Sequence, residues 1–187
     1  NMVEIALYRK YRPQSFKEIK GQDHIVSGLE NEAKTGKVSH AYLFAGSRGT
    51  GKTSVARILA EAAGVSKNDI YEMDAASNRG IDEIRELKEK TRYSPARDRN
   101  KIFIIDEVHM LTQEAFNALL KTLEEPPARV VFILATTEYH KIPATILSRC
   151  QQYSFKLIQY PLIMKRLREI AKAEGIEIST MALEQVV

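Results

Sequence analysis

Gly46-Ser47-Arg48-Gly49-Thr50-Gly51-Lys52-Thr53 decides how the rest of this chain is read, because its spacing, G-x-x-x-x-G-K-T, is that of a loop that cradles phosphate. The flanks fit the same reading. Ala41-Tyr42-Leu43-Phe44-Ala45 is a short apolar run of the kind that forms a buried strand, and between Thr53 and Ala63 the apolar residues Val55, Ile58, Leu59 and Ala62 recur at helical spacing. Glycines free the backbone to turn successive N–H groups toward an anion, and the helix start adds its positive dipole end. In that arrangement Lys52 reaches the β- and γ-phosphates and the Thr53 hydroxyl serves Mg²⁺. An ordinary glycine-rich turn between strand and helix would not carry both flanks.

Working outward, the stretch Asp23–Thr35 places Ile25, Leu29 and Ala33 on one helical face, and Gly36 follows as a stop. Ile70–Met73 reads as a second strand. Asp74-Ala75-Ala76-Ser77-Asn78 leads into a helix carrying Ile81, Ile84 and Leu87, with Ser77 or Asn78 as its expected cap. Ile102-Phe103-Ile104-Ile105 is apolar without alternation, as a central parallel strand must be, and ends in Asp106-Glu107. Gln113–Glu125 is a predicted helix ended by Pro126-Pro127, and Val130–Leu134 is a fourth strand. A short helix is predicted over Pro143–Ser148 and a fifth strand over Gln151–Phe155. Beyond Pro161 the pattern turns helical, with a basic amphipathic stretch Leu162–Ala173, a break at Gly175 and a new helix near Ser179. The expected fold is therefore α/β: a three-layer αβα domain on a five-stranded parallel sheet over residues 1–158, then the start of a small helical lid over 159–187.

At 187 residues, 44% of them hydrophobic, the chain suits one α/β domain and part of a second. A net charge of +4 with a pI near 9.1 permits contact with nucleic acid without establishing it. The run from Arg85 to Lys101 holds seven basic and three acidic residues, and reads first as a solvated face. The single cysteine, Cys150, excludes a disulfide within the chain and is expected to be a small core residue. With no apolar run long enough to span a membrane and no secretory leader, a cytoplasmic location is expected, with no membrane partner.

In a doubly wound sheet, ligands bind beyond the carboxyl ends of the strands. Three strands deliver chemistry there. The first brings the phosphate loop, the third brings Asp106 and Glu107, and the fourth brings Thr136 and Thr137. Phosphoryl transfer to water needs a cation, a group to orient the water and further positive charge. Asp106 is the candidate for the Mg²⁺ shell, through water, together with Thr53; Glu107 is the candidate general base. Thr137 could bond the γ-phosphate or the water. His109 reads as a helix-start or packing residue, and Arg149 has no role that its position alone assigns.

Tyr8-Arg9-Lys10-Tyr11-Arg12-Pro13, Gly21-Gln22, Gly46–Thr53, Asp74–Gly80, Asp106-Glu107-Val108-His109-Met110, Glu114–Pro127 and Ser148-Arg149-Cys150 together resemble the clamp-loader branch of the AAA+ ATPases, in its bacterial DNA polymerase III γ/τ-type family. The resemblance covers nearly the whole chain. It implies an ATPase with ATP and Mg²⁺ as ligands, and nucleotide contacts from Gly46, Ser47, Arg48, Gly49, Thr50, Gly51, Lys52, Thr53 and Ser54, with the segments around Tyr11-Arg12-Pro13 and Gly21-Gln22 near the adenine side and Tyr11 and Pro13 as contacts there. Lys52, Asp106, Glu107, Thr137 as first sensor and Arg149 as an arginine finger acting in the neighbouring subunit form the implied catalytic set. The implied partners are the other subunits of a pentameric ring, the sliding clamp and primer–template DNA, the last met by the helix starts after Ser77 and Thr112. Contact with the polymerase is expected through regions outside this chain.

Two departures from the family stand out. Ala63–Asp69 replaces a four-cysteine zinc module, so zinc is not expected, and the chain ends before a match to the second sensor arginine, which leaves hydrolysis by this stretch alone open. Two rivals remain in view: another DNA-associated AAA+ motor such as a branch-migration helicase, and a non-hydrolysing subunit that only donates Arg149. The Ser-Arg-Cys element and the Phe116–Pro127 match argue against the first; intact Lys52, Thr53, Asp106 and Glu107 argue against the second.

Overall fold

The computed structural model describes residues 6–92 and 100–185; the remainder of the basic run, 93–99, lies outside the described residues. Five parallel strands, β1 (Ala41–Ala45), β2 (Ile70–Asp74), β3 (Lys101–Asp106), β4 (Val130–Thr136) and β5 (Gln151–Ser154), lie in the order β2-β3-β4-β1-β5. β1, β3 and β4 are the interior strands. Their side chains alternate between two apolar layers, which is why these runs lack polar positions. Leu43, Phe103, Ile105, Phe132 and Leu134 face one layer. Tyr42, Phe44, Ile102, Ile104 and Ile133 face the other.

Helices cover both faces. On the first, α4 (Ile81–Arg92), α5 (Gln113–Glu124) and α6 (Ala144–Leu147) supply Ile84, Leu87, Phe116, Leu119 and Ile146. The second is covered by α2 (Asp23–Thr35) and α3 (Lys52–Ala62), through Ile25, Leu29, Val55, Ile58 and Leu59. A one-turn helix α1 (Leu7–Lys10) precedes them, while α7 (Tyr160–Ala173) and α8 (Thr180–Glu184) follow the sheet and pack on each other. Gly36 ends α2 at φ 68°, the left-handed conformation the sequence calls for there. None of the described helices is long and apolar enough to cross a membrane.

The expected cap of α4 needs correction. The helix begins at Ile81, behind Gly80, so neither Ser77 nor Asn78 occupies the capping position. Both belong instead to the turn after β2, where the N–H groups of Ser77 and Asn78 donate to the Asp74 carbonyl, as does the Asn78 side-chain amide. A polar pair three residues upstream looks like a cap in sequence; here its hydrogen bonds are used to turn the chain.

Candidate functional site

The loop after β1 is fixed from both neighbouring strands: the Gly46 N–H donates to the Thr136 carbonyl at 3.1 Å, and the Phe155 N–H donates to the Ala45 carbonyl at 2.7 Å. That closeness dictates glycine at its first position. A Cβ on Gly46 would stand 2.6 Å from the Phe155 carbonyl oxygen. At the other end Gly51, at φ 97°, is the left-handed residue from which α3 starts. The amide of Gln22, fully buried, holds the loop from behind: it donates to the carbonyls of Thr50 (3.2 Å) and Lys156 (2.7 Å) and accepts from the Lys156 N–H. One buried side chain thus ties α2, the glycine loop and the segment after β5.

Lys52 lies 6% exposed, and its ammonium donates to the carbonyls of Gly46 and Ser47, both at 2.7 Å. Burial pulls it below the usual lysine range; the carboxylates of Asp106 and Glu107 oppose that shift. The Thr53 hydroxyl donates to Asp106 Oδ2 at 2.7 Å, joining the start of α3 to the end of β3. Asp106 Oδ1 accepts the Glu107 N–H at 2.9 Å, and Glu107 itself stands at φ 49°, an uncommon conformation for a residue with a side chain. Thr137 donates its hydroxyl to Glu107 Oε2 at 3.0 Å.

Two concavities meet at this loop. A polar chamber of about 350 Å³ is lined by Arg12, Arg48, Gly49, Gly51, Lys52, Thr53, Ser54, Asp74, Asp106 and Glu107. An apolar chamber of about 520 Å³ lies between the segment Leu7–Pro13, Ile19, the loop residues Gly49, Thr50, Gly51 and Ser54, and Ile158 with Leu162, Ile163 and Ile170. Gly49, Gly51 and Ser54 belong to both. Tyr11 lines the apolar chamber and donates its hydroxyl to Glu174, which Lys10 also engages at 2.6 Å.

A family model described as DNA polymerase III, delta subunit, matches residues 21–80 and 63–159. The chain belongs to this DNA polymerase III family. It is 48% identical, over 200 aligned residues, to DNA polymerase III subunit tau of Bacillus subtilis, covering 96% of this chain and 36% of that one. It thus spans about a third of the length of that relative. A crystal structure of a DNA polymerase III gamma subunit-related protein from Thermotoga maritima matches with TM-score 0.64 and 28% identity, over 77% of this chain and 53% of that chain. The Holliday junction branch migration motor RuvB of the same organism matches with TM-score 0.72 over 93% of this chain and 58% of that chain, at 24% identity, a likeness of fold alone. The γ/τ-type resemblance and the α/β AAA+ architecture both stand.

In this polymerase III family member the two chambers gather most of the residues singled out from sequence. Gly46 and Ser47 are reached by the Lys52 ammonium, and Tyr11, Pro13, Arg48, Gly49, Thr50, Gly51, Thr53 and Ser54 line one chamber or both. Arg149 lines neither. Its guanidinium donates to the Thr145 carbonyl and to Glu124 Oε1, both at 2.6 Å, on the outside of α5 and α6. Arg12 and Gln22, expected with their neighbours on the adenine side, lie elsewhere: Arg12 lines the polar chamber and Gln22 braces the loop, while the apolar wall from Ile158 to Ile170 carries no signal in sequence of its place there. His109, expected as a helix-start or packing residue, does more than pack. The ring sits in the short 3₁₀ turn Val108–Met110 and touches Thr136 and Glu107.

Proposed function

We propose that this chain is the ATP-binding and ATP-hydrolysing module of a bacterial clamp-loader subunit of the γ/τ type. The observation that carries the reading is the junction of an apolar and a polar chamber at Gly49, Gly51 and Ser54, which suits a molecule with a flat apolar end and a polyanionic end. Tyr11, Pro13 and Ile19 would take the base. Arg48, Lys52 and the loop N–H groups would take the phosphates.

The oxygens of Thr53 and Asp106, already 2.7 Å apart, fit a hard cation that keeps most of its waters, and so would hold Mg²⁺. When bound, Mg²⁺ would neutralise charge on the β- and γ-phosphates. Lys52 would exchange its two carbonyl partners for phosphate oxygens. Glu107 would accept a proton from the attacking water, and Thr137, bonded to Glu107, would register whether the γ-phosphate is present. Arg149 would leave Glu124 to reach the nucleotide of an adjoining subunit, where an arginine adds positive charge to the transition state.

The nucleotide domain would end near residue 158, and the lid would begin at α7. In a full loader, ATP binding would favour opening of the sliding clamp and grip on primer–template DNA in the cytoplasm, and hydrolysis would release both. Replacing Lys52 by Ala removes a charge-assisted phosphate contact worth about 1.5–3 kcal/mol. Titration calorimetry with Mg-ATP should find affinity at least about tenfold weaker in Lys52→Ala. Equal affinity in the two proteins would sink the reading.

A further inference from the structure

His109 stands between two groups at the carboxyl ends of β3 and β4. Nδ1 lies 2.9 Å from Thr136 Oγ1, and Nε2 lies 3.4 Å from Glu107 Oε2, with the side chain only 7% exposed. Thr136 is fully buried, and its oxygen already accepts the Glu138 N–H at 2.9 Å. One lone pair and the hydroxyl hydrogen remain, so this oxygen can accept from the ring or donate to it. Were Nδ1 the donor in a neutral ring, Nε2 would turn a lone pair on a carboxylate. The arrangement without that repulsion has Thr136 donating to Nδ1 and Nε2–H facing Glu107, and a protonated ring also carries hydrogen on Nε2.

We infer that His109 is a positioning residue for Glu107: it anchors on Thr136 and holds one oxygen of the base through Nε2–H. This rests on the reading of Glu107 as general base. The Thr137 hydroxyl and His109 Nε2 converge on the same oxygen, Oε2. Oε1 is then the oxygen that serves a water in the polar chamber, which Glu107 lines. A carboxylate at positive φ on a tight turn needs such lateral support, since a base acts only within hydrogen-bond reach of its proton. The 3.4 Å separation is long for a hydrogen bond, and catalytic contacts of this kind shorten when substrate arrives.

The test uses the full-length subunit assembled with its loader partners and measures ATP affinity and single-turnover hydrolysis for His109→Gln, His109→Asn and His109→Ala, beside wild type and Glu107→Gln. Gln places its amide nitrogen where Nε2 was, and Asn places its own where Nδ1 was. Positioning predicts affinity within about twofold throughout, hydrolysis at least about tenfold slower in Ala and Asn, and a return to within about threefold of wild type in Gln. Asn equal to or faster than Gln would reduce His109 to an anchor on Thr136 and overturn the inference. So would unchanged hydrolysis in all three while Glu107→Gln is inactive. If Glu107→Gln itself hydrolyses normally, it is the assignment of the base that fails. Should Ala lose affinity through misfolding, the comparison of Gln with Asn still decides.

Discussion

Cys150 shows how packing sets the chemistry of one side chain. It rests against the apolar layer that holds Ile146 and Leu119, and burial pushes its thiol up to about 12 from an ordinary 9.0. At pH 8 that lowers the thiolate fraction roughly a thousandfold, and thiolate is the reactive form. A disulfide reagent at pH 8 should therefore modify the native protein far more slowly than the urea-unfolded chain; equal rates would mean that the half-buried thiol, expected from sequence to be a core residue, is not shielded by that layer. Between about 9 and 12 the unfolded chain has released the proton and the folded chain retains it, so this residue's contribution to stability is lost as pH rises through that window. At this scale the sequence was most legible where chemistry and spacing coincide. That Lys52, Thr53 and Asp106 line one chamber could be read from spacing, because a glycine loop between strand and helix and an acidic strand end leave few alternatives. Gln22 and His109 could not, because a buried amide and a ring acquire their meaning from atoms more than twenty residues away, Thr50 and Lys156 for one and Thr136 for the other.

Among the elements, α5 carries a cap of the simplest kind. Thr112 accepts the Ala115 N–H at 3.3 Å ahead of a helix whose Ala115, Phe116, Leu119 and Leu123 are buried. Thr112→Ala should lower unfolding free energy by about 0.5–2 kcal/mol, while Thr112→Ser keeps most of it, as read from urea midpoints at unchanged slope. An Ala variant with the wild-type midpoint would mean that the cap is idle. Strands β1, β3 and β4 could be read directly, since burial on two faces excludes polar residues from Leu43, Ile104 or Ile133 alike. The edge strands were harder. β2 and β5 are exposed on much of their surface and carry Glu72, Gln151 and Gln152, so the turns beside them, rather than hydrophobicity, marked their limits. The misplaced cap of α4 has the same root: the Asp74–Asn78 turn uses the residue types a helix start would use.

For the whole molecule, the sheet order brings the ends of β1, β3 and β4 side by side, so a loop, an acid pair and two threonines separated by up to 90 residues share one rim. That much follows from alternating strands and helices. The apolar chamber does not, for its walls come from residues 7–20, 49–54 and 158–170, and only the folded chain shows that they meet. Its N-terminal wall is fastened to α7 by contacts at the surface, one exposed and two half-buried: Lys10 and Tyr11 on Glu174, and the Arg166 guanidinium on the Tyr11 carbonyl at 3.5 Å. The Lys10–Glu174 ion pair is screened by water and salt and contributes little to folding, and among the described residues no large apolar contact backs it. The consequence of these ties lies in time. A wall that is cheap to detach acts as a door, so whatever fills the chamber should leave at a pace set by how often the door swings. Glu174→Ala should hasten release of a fluorescent adenine nucleotide about two- to fivefold in stopped flow and leave its arrival rate nearly unchanged. A change confined to arrival would mean that the nucleotide passes by another route, and that residues 7–13 furnish the chamber without guarding its exit.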